Sequence, residues 1–219
     1  MIQAVIFDFD GTILDTESVW YDSYREAAGA HRIDLPLAIF AQGVGTYDDA
    51  MFRYLREQAG SDEALEQIKS NAHRLHTTKT SGLQPREGVV AYLEDAKRLG
   101  LRIGLATSSP RSWVEPFLAT HGLRDYFETL CTSDDVERVK PDPALYRLAV
   151  ERLGVTPERA LAFEDSANGA RAAASAGVRC VVIPNPMTEA LVFERYDVRL
   201  ASFEEMTLER LLQRLNAQA

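Results

Sequence analysis

Cysteine is scarce, at two residues in 219, and neither Cys131 nor Cys180 has CxxC spacing or a histidine beside it. That excludes a disulfide framework and a zinc site, and both thiols read as small buried hydrophobes. No apolar run is long enough to cross a bilayer. The first ten residues, MIQAVIFDFD, carry no basic leader and reach a carboxylate at Asp8, so a cleaved secretory signal is not expected. Positive charge is in deficit, 24 Lys+Arg against 33 Asp+Glu, for a net charge of −9. Such a chain has no long-range attraction for nucleic acid or an anionic membrane, and neither is an expected partner. Internal repeats and low-complexity segments are missing too. What remains, 46% hydrophobic and 26% charged, is enough to close a core. The expectation is a cytoplasmic monomer built as one large domain, or as a domain with an insertion.

Short apolar runs recur: AVIF at 4–7, IGLA at 103–106, LAF at 161–163, VVI at 181–183, and a shorter one, TLC, at 129–131. They read as buried parallel strands. Between them apolar residues fall at helical spacing, as in Val89, Tyr92, Leu93 and Ala96, or Leu145, Leu148, Ala149 and Leu153. This alternation predicts an α/β fold with a doubly wound parallel sheet. Ser109-Pro110, Asp142-Pro143 and Thr156-Pro157-Glu158 each set a capping side chain before a proline and predict helix starts. Gly100, Gly122, Gly154 and Gly177 stand where left-handed helix ends belong. From about Thr16 to Gly82 the helical pattern runs on without a strand. The chain thus divides into a core, residues 1–15 and 83–219, and a helical insertion, 16–82, placed to cover the carboxyl end of the sheet and exclude water.

The segment VIFDFDGTILD at 5–15 ends an apolar strand in Asp8, with Asp10 two positions on. Both carboxylates can face one crevice, while Gly11 allows a tight turn that leaves its amide and that of Thr12 to face an anion. Alone, the pattern fits a turn with a helix cap equally well. Three further strand ends or loops, however, carry Thr107 and Ser108, Lys140, and Glu164 with Asp165. Each has a local reading: Ser109 as a cap, Lys140 as a solvated charge, Asp165 as a helix start. Their joint arrival at one edge of a sheet is not explained by capping.

Four carboxylates in one crevice demand a cation, because unit charges about 4 Å apart repel by roughly 4 kcal/mol at an effective dielectric of about 20. Hard oxygen ligands suit Mg²⁺. With Mg²⁺, Lys140 and a proton on Asp10 the crevice is neutral and can admit a phosphate dianion. Asp8 can attack phosphorus to form an aspartyl phosphate, and Asp10 can protonate the leaving oxygen and then deprotonate the attacking water. Thr107, Ser108 and Lys140 can hold the phosphoryl oxygens.

These residues resemble the haloacid dehalogenase superfamily, and within it the beta-phosphoglucomutase-like phosphatases with a helical cap after the first strand. The resemblance spans essentially the whole chain: DxDGTxxD as Asp8, Asp10, Gly11, Thr12 and Asp15, then Thr107-Ser108, Lys140-Pro141 and Glu164-Asp165-Ser166 in order. It implies a Rossmann-like core, Asp8 as nucleophile and Asp10 as acid/base. It also implies Mg²⁺ held by Asp8, the backbone carbonyl of Asp10 and Asp165, with Glu164 a metal or metal-water partner. True dehalogenases lack the second aspartate. The mutases of this subgroup carry a histidine in the first cap helix and an arginine in a cap loop; here stand Trp20 and Gly43-Val44-Gly45-Thr46-Tyr47-Asp48. Hydrolysis of a small phosphorylated sugar or polyol is therefore the expectation, with a phosphomutase as the alternative. A receiver module has similar groups but neither the insertion nor a phosphoacceptor on strand one. Substrate contacts are expected from Glu17, Trp20 and Tyr47, with Tyr21, Tyr24, His73 and His76 also available in the insertion.

Overall fold

A computed structural model describes residues 1–44 and 50–217. Strands β1 (Ala4–Phe7), β2 (Arg102–Ala106), β3 (Thr129–Cys131), β4 (Ala160–Glu164), β5 (Arg179–Val182) and β6 (Val198–Arg199) form one parallel sheet in the order β3-β2-β1-β4-β5-β6. This is the α/β, doubly wound, Rossmann-like arrangement that the alternation predicts. In β1 the side chains alternate between two layers, as a strand requires. Val5 and Phe7 pack with α5 (Val89–Arg98), α6 (Arg111–Thr120) and α9 (Leu208–Ala217). Ala4 and Ile6 pack with α7 (Ala144–Arg152) and α8 (Ala167–Ser175).

The register sets the site. Phe7 at the end of β1 faces Leu105 of β2 on one side and Phe163 of β4 on the other. Strands β2 and β4 run one residue further, to Ala106 and Glu164 beside Asp8, so Asp8, Thr107 and Glu164-Asp165 lie along one edge. Between β1 and α5 lie α1 (Thr16–Gly29), α2 (Leu37–Ala41), α3 (Ala50–Ala59) and α4 (Asp62–Thr80). They enclose a separate apolar cluster that includes Tyr24, Leu35, Leu55, Leu65 and Ile68. Among the described residues no helix is long and apolar enough to cross a membrane.

Several local expectations change. Thr156-Pro157-Glu158 starts only a 3₁₀ turn, Pro157–Arg159, that feeds straight into β4. Ser109 does not cap α6, whose N-cap position is Pro110 without a side-chain bond, because its hydroxyl is drawn to Asp10 instead. Asp165 does not start α8 either: Ser166 caps it by accepting from the Gly169 amide at 3.0 Å, which leaves the Asp165 carboxylate for the crevice. Asp142 does accept from the Ala144 amide at 3.0 Å. Gly100, Gly122, Gly154 and Gly177 all have positive φ, as predicted. The strand β6, two residues long, went unread because it has no apolar run.

Candidate active site

Lys140, 2% exposed, extends its Nζ to Asp8 Oδ1 and, at 2.6 Å, to Glu164 Oε1. Far from being a solvated charge, it bridges two strand ends. Burial alone would lower its pKa, but the charges of Asp8 and Glu164 outweigh that and hold it above the ordinary lysine range. Glu164 has a second donor at the same oxygen, the Tyr146 hydroxyl at 2.5 Å, and Ser166 Oγ reaches its Oε2 at 3.3 Å. With three protein donors, Glu164 is placed to orient Lys140.

Carboxylate oxygens of Asp8, Glu164 and Asp165 lie within 4.8 Å of one another. Burial pushes the Asp8 carboxyl well above its usual range; Lys140 opposes this, and Glu164 and Asp165 add to it. Asp165 is raised in the same way, by burial and then by Glu164 and Glu17. Buried carboxylates that repel each other with a single lysine among them fit a hard divalent cation, which would let them ionise. Glu164 carries three protein donors, Lys140, Tyr146 and Ser166, whereas Asp8 and Asp165 carry two each. Thr12 Oγ1 donates to Asp165 Oδ1 at 3.0 Å and Asp8 Oδ2 at 3.4 Å, and Asn185 Nδ2 donates to Asp165 Oδ2 at 2.7 Å.

Gly11 has φ +80°, and a Cβ there would stand 2.2 Å from Asp165 Oδ2 and 2.7 Å from Asn185 Nδ2. The turn thus needs glycine twice over, for its dihedral and for space. The Gly11 amide does not face the crevice as expected: it donates to the Leu14 carbonyl at 2.7 Å. The carboxylate of Asp10 lies outside the three-carboxylate group. Its Oδ1 accepts from Thr16 Oγ1 at 2.8 Å and Trp113 Nε1 at 3.0 Å, and its Oδ2 from Ser109 Oγ at 2.5 Å.

A cavity of about 650 Å³ opens between the strand ends and helices α1–α4. Asp8, Asp10, Thr107, Ser108 and Lys140 form its floor; Glu17, Trp20, Phe40, Met51, Phe52 and His73 form its roof. The Glu17 carboxyl is pushed up to about 8 by burial and by the charges of Asp10, Asp8 and Asp15. Trp20 lines the cavity while its ring stacks on His76 at 3.5 Å. His76, Tyr21 and Tyr24 serve packing instead: His76 and Tyr24 are buried, and the Tyr21 hydroxyl donates to the Leu35 carbonyl at 3.1 Å. Tyr47 lies outside the described residues.

Sequence reading missed Tyr146, Asn185, Trp113 and Gly169. The first three act across 18 to 103 residues of chain, so no local spacing signals them. Gly169 lies one helical turn past the Glu164-Asp165-Ser166 stretch, and a Cβ there would sit 2.0 Å from the Glu164 carboxyl.

A family model for haloacid dehalogenase-like hydrolases matches residues 5–183. YhcW of Bacillus subtilis (strain 168), which carries a provisional phosphatase name, is 48% identical over 219 residues and 100% of both chains. Hexitol phosphatase B of Escherichia coli (strain K12) is 32% identical over 220 residues, 96% of this chain and 97% of its own. Among solved structures, a variant of CbbY from Rhodobacter sphaeroides in complex with xylulose-(1,5)bisphosphate superposes with a TM-score of 0.74 at 31% identity, covering 93% of this chain and 95% of that one.

Proposed function

The chain belongs to the haloacid dehalogenase-like hydrolases and is a phosphatase of that family, and from this premise we propose that it is a Mg²⁺-dependent phosphomonoester hydrolase acting on a small sugar or polyol monophosphate. The observation that carries the reading is the Lys140 ammonium bridging Asp8 and Glu164 beside Asp165, at the floor of a cavity roofed by a separate helical unit. In this reading residues 16–82 are a cap over a core of residues 1–15 and 83–219.

A carboxylate oxygen of Asp8 attacks phosphorus, the bond from phosphorus to the ester oxygen breaks, and the proton on Asp10 passes to that oxygen. The product alcohol leaves an aspartyl phosphate. Asp10, now a carboxylate, takes a proton from water as the water attacks phosphorus, which frees phosphate, regenerates Asp8 and reprotonates Asp10. Lys140 steadies the charge on the phosphoryl oxygens, and Thr107 and Ser108 border the same space. Asp8, Asp165 and the backbone carbonyl of Asp10 would hold Mg²⁺, which when bound neutralises charge on the phosphoryl group.

The substrate class follows from the walls and from the relatives. Hexitol phosphatase B acts, by its name, on phosphorylated hexitols. Here Trp20 and Phe52 put aromatic surface on the cavity wall for C–H packing, and Glu17, with a carboxyl that keeps its proton to about pH 8, can both donate to and accept from a hydroxyl. Among the described residues Lys140 is the one cation lining the cavity, and residues 45–49, Gly-Thr-Tyr-Asp-Asp, contain none. A second phosphate would therefore enter without a counter-charge, which favours hydrolysis of a monophosphate over a mutase cycle through a bisphosphate.

The test is phosphate release from sugar, polyol, glycolate and nucleotide monophosphates, with and without Mg²⁺, for wild type beside Asp8→Asn. Metal-dependent release from a sugar or polyol monophosphate, reduced at least about 10³-fold in the variant, is expected. Substantial turnover by Asp8→Asn would sink the nucleophile assignment, and bisphosphate-primed interconversion of hexose phosphates without release would make the enzyme a mutase.

A further inference from the structure

Trp113 stands in the first turn of α6, and three side-chain contacts fix it. Its indole Nε1 donates to Asp10 Oδ1 at 3.0 Å. Its ring lies 5.2 Å from the His76 ring of α4 at 34°, and 4.8 Å from Phe117 edge-on. His76 in turn is stacked on Trp20 of α1 at 3.5 Å and 11°, so the imidazole touches one tryptophan from the helical unit and one from the sheet layer.

A carboxylate offers about four lone-pair sites, two per oxygen. Trp113 and Thr16 fill both on Oδ1 of Asp10, whereas Oδ2 holds only Ser109 and keeps one open. The hydroxyl donors can rotate away. The indole N–H is donor only and cannot turn without breaking the ring's contacts with His76 and Phe117.

We propose that Trp113 is a positioning residue for Asp10: as the donor on Oδ1 that cannot rotate away it fixes the carboxyl group with Oδ2 as the oxygen left to act on the ester, and through His76 it makes that orientation depend on how α1 and α4 sit over the sheet. The proposal rests on the acid/base reading of Asp10. The proton on Oδ2 passes to the ester oxygen as that oxygen departs, and the carboxylate regains a proton at Oδ2 from the attacking water, so the step balances without another reactant.

The experiment compares kcat and KM for alkyl phosphates, whose leaving oxygen needs a proton, with those for aryl phosphates such as 4-nitrophenyl phosphate, whose leaving oxygen does not. Trp113→Phe keeps a ring in the stack and removes the donor. The expected result is a drop in kcat/KM, which reads the first phosphoryl transfer and not the breakdown step shared by both ester classes, of about 10- to 100-fold for alkyl esters, a part of the roughly 10²- to 10⁴-fold that general acid catalysis contributes, with aryl esters changed less than about 3-fold. His76→Leu, which leaves the indole N–H but removes the ring it rests on, is the second variant and should give a smaller loss with the same selectivity. Equal losses for both ester classes, or none, in Trp113→Phe overturn the proposal while Asp10→Asn still abolishes alkyl ester hydrolysis. If Asp10→Asn itself keeps alkyl ester turnover, the reading of Asp10 fails and takes the proposal with it. Unselective loss in His76→Leu alone overturns the coupling to α4.

Discussion

Glu17 is held among like charges, near Asp10, Asp8 and Asp15, on the wall of a cavity that limits its access to water. Its folded-state pKa of about 8 lies above its ordinary value of 4.5, so between these values the folded chain binds a proton that the unfolded chain has lost. The contribution to stability is fully present below about pH 4.5 and is lost as pH rises through 8. The metal-free protein should therefore melt at lower temperature at pH 8 than at pH 5, with Asp8 and Asp165 adding slope of the same sign. Glu17→Gln removes its part of that slope. We expect the variant to melt about 5 °C above wild type at pH 8 and level with it near pH 4.5, by calorimetry in a chelating buffer. Equal melting temperatures at both pH values would mean that Glu17 is solvated and ionised in the folded protein.

At the scale of single elements, close backbone approach decides how the strand-end residues meet. Helix α8 passes so near the end of β4 that Gly169 has no room for a methyl group, since a Cβ would lie 2.0 Å from the Glu164 carboxyl. Gly169→Ala should lower stability by about 3 kcal/mol or cost activity by displacing Glu164 from Lys140, read as a lower urea midpoint and a lower kcat. Gly29 in α1 has nothing within 4 Å of its missing Cβ, and Gly29→Ala should be neutral or stabilising by up to about 1 kcal/mol. Equal behaviour of the two variants would contradict the packing account. The sequence announces the first-strand aspartates and the Glu164-Asp165 pair because each sits in a local pattern at a strand end, and Lys140 because it stands in the loop pattern VKPDP. It does not announce Gly169, Tyr146 or Asn185: a helical glycine, a tyrosine on a helix face and a loop asparagine acquire their roles only from partners that the fold brings near. Ser109 was misread for the same reason, because its partner Asp10 is 99 residues away and outcompetes the local capping bond.

For the whole molecule, the alternation of apolar runs and helical periods made the parallel sheet legible before any contact was known, down to three-residue β3. The two-residue β6 was invisible, because its pairing depends on β5 rather than on its own composition. The gap in strands between Thr16 and Gly82 marked the helical unit, but aromatic spacing could not separate residues that face the cavity from those that pack. Trp20 and His73 line the cavity, whereas Tyr24 is buried within the unit and His76 is buried between Trp20 of the unit and Trp113 of α6. The His76 pKa, lowered to about 4 by burial and by neighbouring His73, keeps that ring neutral between the two tryptophans across the physiological range. Sheet edge, helical roof and aromatic link converge on one acid cluster, and the account stands on the covalent chemistry assigned to Asp8.

The most direct test of that chemistry is to acid-quench Asp10→Asn during exposure to 4-nitrophenyl phosphate, whose leaving oxygen needs no proton from residue 10, with Mg²⁺ and to map the phosphate by peptide mass spectrometry. The slowed breakdown of the intermediate in this variant should leave a hydroxylamine-sensitive phosphate on the peptide containing Asp8, and no such mark in Asp8→Asn. A phosphate found on any other residue, or wild-type turnover with no acyl phosphate trapped in either protein, would contradict it.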